Sequence, residues 1–296
     1  MGNRMLRAGL VQQACTPDRQ ANLAASIRAI ETAATEGAQL VLLQELHGSR
    51  YFCQREDEKN FALAEPVPGE TTATLGTVAE RLGIVIVASL FEQRAAGLYH
   101  NTAVVIDADG SIAGRYRKMH IPDDPGYCEK YYFTPGDLGF SAITTSLGRL
   151  GVLVCWDQWY PEAARLMALD GADILLYPTA IGWDPAASGS TRAAELDAWL
   201  TVHRSHAISN CLPVMACNRT GFEAAQKDAD DGIEFWGNSC IIGAQGEVLA
   251  RAGSDAPATL VADIDLSRTG QLRSTWPFFR DRRIDASADL LKRSRN

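Results

Sequence analysis

With 296 residues, 46% of them hydrophobic, the chain can bury a large core, either as one big domain or as two fused halves. A formal net charge of −8 within an ordinary 22% of charged residues argues against nucleic acid or an anionic membrane as the main partner. Seven cysteines (Cys15, Cys53, Cys128, Cys155, Cys211, Cys217 and Cys240) form no C-x-x-C pair and are odd in number, so neither a disulfide framework nor a zinc site is expected, and a reducing, cytoplasmic compartment is.

The N-terminal stretch "MGNRMLRAGLVQQ" has no long apolar segment after its positive charges, so no secretion signal is expected. No run approaches the ~18 apolar residues of a membrane helix. "RAGLVQQ" alternates as a strand does. "DRQANLAASIRAIETAATEGAQ" reads as a helix with Asp18 as N-cap, Leu23, Ile27 and Ile30 on one face, and Gly37 at its end. "LVLLQE" is an apolar run typical of a strand covered on both faces. A helix over about 70–82 leads to the strand "GIVIVASLFEQ", and "NTAVVIDADGSIAGRYRK" reads as a hairpin turning at Asp109-Gly110. The pattern then recurs. "GVLVC" is a strand, "PEAARLMALDG" a helix with Pro161 suited to its first turn, and "ADILLYPTA" a strand. "TRAAELDAWLTVHRSHAISN" is a long helix, "LPVMACNRT" a strand, "NSCIIGAQGEVLARAG" a second hairpin, and "TLVADIDL" closes the regular part.

The halves resemble each other. "EGAQLVLLQEL" matches "LDGADILLYPTA", so that Glu45 corresponds to Thr179, and "NTAVVIDADGSI" matches "NSCIIGAQGEV". The expected fold is α/β: two similar layers whose sheets pack face to face with helices outside, an α-β-β-α sandwich. No linker divides the halves, so residues 1–296 are read as a single domain. An arginine-rich arm over about 270–296 is expected at a subunit interface.

In α/β sheets, functional groups gather past the carboxyl ends of strands. Glu45 ends "LVLLQE", Lys118 ends "GRYRK" and Cys155 ends "GVLVC". A lone cysteine after an apolar run is usually an inert buried thiol. Here the strand stops abruptly at "CWDQWYPE", which puts the thiol in a strand-to-helix turn resembling a nucleophile elbow, with the following helix N-terminus favouring thiolate. A thiol needs a base, and no histidine has an obvious claim; a partly desolvated Glu45 is a competent one. A lysine facing both would favour thiolate and stabilise an oxyanion.

Three segments in this order, "LVLLQEL", "GRYRKMHIPDDPGYCEKYYFTPGD" and "GVLVCWDQWYPEAARLM", resemble the carbon–nitrogen hydrolase (nitrilase) superfamily. The resemblance runs over nearly the whole chain, through "DILLYPTAIGW", "NRTGFE", "FWGNSCIIG" and "FRDRRID". It implies a nitrilase-like sandwich and a triad of Glu45 as general base, Lys118 as oxyanion stabiliser and Cys155 as nucleophile, with Glu129 positioning substrate. It implies no metal or organic cofactor, and homo-oligomers from dimers up to octamers. The branch matched by the flanks acts on N-carbamoylputrescine, so the expected reaction hydrolyses this small-molecule carbamoyl amine to putrescine, carbon dioxide and ammonia. The alternatives are β-ureidopropionate, another carbamoyl amine or a dicarboxylic monoamide as substrate, or a non-catalytic α/β binding protein. A distal ammonium asks for carboxylates or aromatic faces; Tyr51, Trp156, Asp157, Trp159, Thr179, Trp183 and Asp184 are the candidates.

Overall fold

The computed structural model describes residues 4–226 and 231–295; Met1–Asn3 and the last residue of the arm, Asn296, lie outside the described residues. The first half runs β1 (Met5–Gln12), α1 (Arg19–Thr35), β2 (Leu40–Leu43), α2 (Glu70–Leu82), β3 (Val85–Ala95), β4 (Leu98–Ile106) and β5 (Ile112–Arg117). A short helix α3 (Glu129–Tyr132) precedes β6 (Ile143–Thr145), β7 (Gly148–Val152), α4 (Pro161–Leu169), β8 (Ile174–Pro178), β9 (Gly182–Trp183), α5 (Gly189–Asn210) and β10 (Val214–Cys217). The chain ends through β11 (Thr220–Ala224), β12 (Gly232–Trp236), β13 (Cys240–Ile242), β14 (Val248–Arg251), β15 (Ala258–Asp265) and α6 (Arg268–Thr275).

Local chemistry places the ends of these elements. The Asp18 side chain accepts from the backbone N–H groups of Gln20 and Ala21, satisfying donors that α1 would otherwise leave unpaired. Pro161 opens α4 with a φ already suited to a helix. The β4–β5 turn uses Gly110 at φ 82°, open to glycine without strain.

The internal repeat is a repeat of topology. One six-stranded sheet has the order β15-β1-β2-β3-β4-β5, the other β6-β7-β8-β10-β13-β14. Taken in those orders, each sheet pairs antiparallel, parallel, parallel, antiparallel, antiparallel. Alternation within β2 explains the layering: Leu40 and Leu42 face Val152 and Leu176 of the other sheet, while Val41 and Leu43 meet Leu23 and Ile30 of α1 and Leu75 of α2. Each such fully buried side chain contributes about 1.5–3 kcal/mol. On the far side, α4 and α5 cover the second sheet with Ala163, Met167, Trp199 and Ala207.

Three features depart from the sequence reading. β7 stops at Val152, and Leu153-Val154 continue outside the ladder toward a 3₁₀ turn over Cys155–Trp159. A small sheet, β11-β12-β9, stands beside the strand ends. The arm is partly regular: α6 lies within it, and Arg273 donates to the Asn210 carbonyl and lies over the Phe279 ring at 4.1 Å. Among the described residues, no helix is long and apolar enough to cross a membrane.

Candidate active site

Glu45 lies two residues past β2, whose four apolar residues are covered on both faces, so the carboxylate is carried into the interior and is fully buried. Lys118 follows β5 directly; its backbone N–H donates to the Asn101 carbonyl, and its side chain is also fully buried. Its Nζ donates to Glu45 Oε1 at 2.8 Å and to Glu129 Oε2 at 2.7 Å. Asn101 Nδ2 donates to the same Glu45 oxygen at 2.7 Å, and the Tyr51 hydroxyl donates to Glu129 Oε1 at 2.7 Å. Glu45 Oε2 has no partner among the described residues. An ammonium has three donors, so with two committed one remains for a ligand.

Cys155 sits at the elbow with φ 44°, a left-handed conformation that costs an L-residue roughly 1–2 kcal/mol. Such strain at the end of a strand exposes the side chain to the cleft. The thiol pKa is pushed well above its usual value, first by burial and then by the Glu45 charge, with Lys118 opposing. Burial thus opposes the thiolate that the following helix favours, and the thiol needs a base. Burial also raises Glu129 to about 7, against the lowering effect of Lys118 and with the Glu45 charge adding to the rise. Burial alone would lower the Lys118 pKa, but Glu129 and Glu45 carry it well above the ordinary lysine value. The ammonium thus keeps its charge in the interior. Together these groups can take a proton from the thiol at Glu45 Oε2, attack a carbonyl and hold the resulting oxyanion with a cation.

The thiol opens into a cleft of about 360 Å³, within the usual range for small ligands. Tyr127, Trp156, Trp159 and Trp236 give it aromatic walls, and Asp124, Asp184 and Glu195 are its charged lining residues. Among the described residues, no group of three or more His, Cys, Asp or Glu side chains could hold a metal ion.

Trp156, Trp159 and Asp184 thus line the cleft, but Tyr51, Asp157, Thr179 and Trp183 do not. Tyr51 is buried behind Glu129. Trp183 lines an adjoining recess; its Nε1 donates to the Arg192 carbonyl and the Arg192 guanidinium lies over its ring. Thr179 is buried; its hydroxyl donates to the Tyr177 carbonyl and its own carbonyl accepts from Glu45 N–H, at the seam where the two halves meet. Asp157 is fully buried and structural. Its Oδ2 accepts from Val154 N–H and the Tyr116 hydroxyl, and its Oδ1 from His120 N–H. These bonds pin the chain on both sides of the elbow. Asp157→Ala is expected to lower the unfolding free energy by about 3 kcal/mol, since it leaves several buried donors unpaired. Urea denaturation checks this, and an unchanged midpoint would return Asp157 to the list of substrate contacts. Asn101, Tyr127, Glu195 and Trp236 are site residues that the sequence reading missed.

The carbon-nitrogen hydrolase family model matches residues 7–274. The chain belongs to the carbon–nitrogen hydrolase family. It is accordingly an enzyme that hydrolyses carbon–nitrogen bonds other than peptide bonds, and its two-halved sandwich is the nitrilase fold. The chain is 44% identical to an N-carbamoylputrescine amidase of Solanum lycopersicum, with 98% of this chain and 96% of that protein covered. It is 40% identical to a citrullinase of Francisella tularensis, covering 97% and 99%. A crystal structure of a carbon-nitrogen hydrolase from Helicobacter pylori G27 superimposes with a TM-score of 0.94 at 51% identity, covering 98% of this chain and 99% of that one.

Proposed function

We propose that the protein hydrolyses N-carbamoylputrescine to putrescine, carbon dioxide and ammonia. The observation that carries this reading is the charge of the cleft: Asp124, Asp184 and Glu195 line it together with aromatic faces, and among the described residues no lysine, arginine or histidine does. A ligand with a distal ammonium gains from that lining, whereas a carboxylate there would be repelled. The amidase relatives act on small molecules of the kind their names state, which supports the same class of substrate.

In the proposed mechanism Glu45 Oε2 takes the Cys155 proton as sulfur attacks the ureido carbonyl carbon. Lys118 donates its remaining N–H to the oxyanion. The tetrahedral adduct collapses, the carbon–nitrogen bond to ammonia or to the amine breaks, and Glu45 returns the proton to the departing nitrogen. Water then replaces sulfur at the carbonyl, losing its proton to Glu45, and the carbamic acid released falls apart to carbon dioxide and the second amine. Glu129, held by Tyr51, keeps Lys118 in line.

We also read residues 1–296 as a single catalytic unit, because β15 returns from the far end of the chain to pair with β1 and the site draws on both halves. Exposed Trp276, Phe278, Ile284, Leu290 and Leu291 support a homo-oligomer in which the arm is covered by another copy. Seven unpaired thiols support a reducing, cytoplasmic setting.

Ammonia release from N-carbamoylputrescine, β-ureidopropionate and citrulline tests the substrate. N-carbamoylputrescine is expected to have a kcat/KM about 100-fold above that of β-ureidopropionate, the size of a like-charge penalty of a few kcal/mol. Equal or reversed rates would overturn the reading.

A further inference from the structure

The segment "NRTGFE", which runs from the end of β10 into β11, contributes no atom to the proposed chemistry, yet it grips both sides of the site. Asn218 accepts from Ile181 N–H at 3.0 Å and donates to the Ile181 carbonyl at 2.9 Å, fixing the loop that lines the cleft beside the thiol. Arg219 is fully buried. Its Nη2 donates to the Glu45 carbonyl at 2.8 Å and the Leu46 carbonyl at 3.1 Å, and its Nη1 to Glu223 Oε1 at 2.7 Å. The guanidinium lies over the rings of Phe235 and Tyr51.

These contacts close a ring. Glu223 Oε2 accepts from Tyr51 N–H at 2.6 Å, and the Tyr51 hydroxyl donates to Glu129. Glu129 accepts from Lys118, Lys118 donates to Glu45, and the Glu45 carbonyl accepts from Arg219. Every member is buried. The backbone at the base is strained where Arg219 holds it: Leu46 has φ 50°, a conformation a leucine keeps only when its surroundings over-determine it.

We propose that Arg219, oriented by Glu223, is a positioning residue for Glu45: it clamps the strained Glu45–Leu46 turn and so holds the base beside the Cys155 thiol. A forked, planar cation is needed, because three carbonyls, those of Glu45, Leu46 and Ser49, and a carboxylate are bridged from different directions, which a lysine ammonium does not reproduce. This inference rests on the reading of Glu45 as the base.

The test compares wild type, Arg219→Lys and Glu223→Gln on N-carbamoylputrescine, with thermal unfolding as the folding control. Folded variants are expected to lose about 10- to 100-fold in kcat with KM nearly unchanged, because the base shifts while the cleft does not. A merely structural arginine would lower the melting temperature and leave kcat of the folded protein alone. If Arg219→Lys does not fold, Glu223→Gln decides. Folded variants with kcat within about twofold of wild type overturn the proposal. Inactive wild type would count against the substrate alone. The clamp is then read from iodoacetamide alkylation of Cys155, which needs the thiolate and hence a placed base; slower alkylation in both variants supports it, and an unchanged rate overturns it.

Discussion

Cys155→Ser is expected to lower turnover of N-carbamoylputrescine by at least about 10⁴-fold, on the way to the roughly 10⁶-fold seen when a nucleophile is removed altogether from a concerted unit. The substitution puts a hydroxyl in place of the thiol at the same elbow, so the cleft and the φ 44° turn survive and folding should be unaffected. What changes is acidity. Burial and the Glu45 charge already hold the thiol well above its usual pKa, so even sulfur gives up its proton only as it attacks. An alcohol in that place is a far weaker acid, and Glu45 Oε2, the one buried carboxylate oxygen without a partner among the described residues, cannot take its proton at a useful rate. The assay is ammonia release, paired with mass spectrometry for a carbamoyl adduct on residue 155 after rapid acid quench. Wild type should carry the adduct during turnover and the variant should not. Full activity in Cys155→Ser would end the nucleophile assignment.

The contrast between what was readable and what was not has a physical basis. Glu45, Lys118 and Cys155 each mark a point where an apolar period breaks into polar residues, and a strand end is where a sheet delivers side chains to a cleft. The repeat of Gly37–Glu45 in Gly171–Thr179 was visible because both segments build the same strand, and the strand orders of the two sheets bear the repeat out. Asp157 misled because an acid two residues from a thiol reads as site-facing. The 3₁₀ turn instead aims it back at Val154 N–H, a direction set by backbone geometry rather than by residue type. Asn101 opens the segment read as a hairpin and Arg219 lies in the segment read as a strand, and neither stands out there as a site residue. Their partners lie 56 and 174 residues away, so only tertiary packing brings them to Glu45. The sheet β11-β12-β9 escaped because β9 has two residues, too few to carry a period.

Lys118→Met is expected to destabilise the fold by an amount that depends on pH. Methionine matches the length of the lysine stem but removes the one cation bonded to both Glu45 and Glu129, leaving two buried carboxyl groups facing each other. Breaking such a buried pair from one side costs about 3–5 kcal/mol when the remaining charge stays ionised. Glu129 can escape that penalty by holding a proton. Glu129 titrates near 7 in the native protein against an ordinary value of 4.5, so folding takes up a proton in that interval. A carboxyl group whose native pKa lies above its unfolded one loses stability as pH rises from the unfolded value through the native one. In wild type the loss from Glu129 is complete a little above pH 7. Lys118 is the main group that lowers Glu129, ahead of the Tyr51 hydrogen bond, so without it the proton is held to higher pH and the window widens upward. The gap in unfolding free energy between wild type and Lys118→Met should therefore be small near pH 5 and reach about 3 kcal/mol near pH 8–9. Urea titrations at pH 5, 7 and 9 measure it directly. Turnover should fall at least about 10²-fold at every pH, because the oxyanion loses its cation. A pH-independent gap would mean that the two carboxyl groups do not share the interior as the hydrogen bonds to Lys118 indicate.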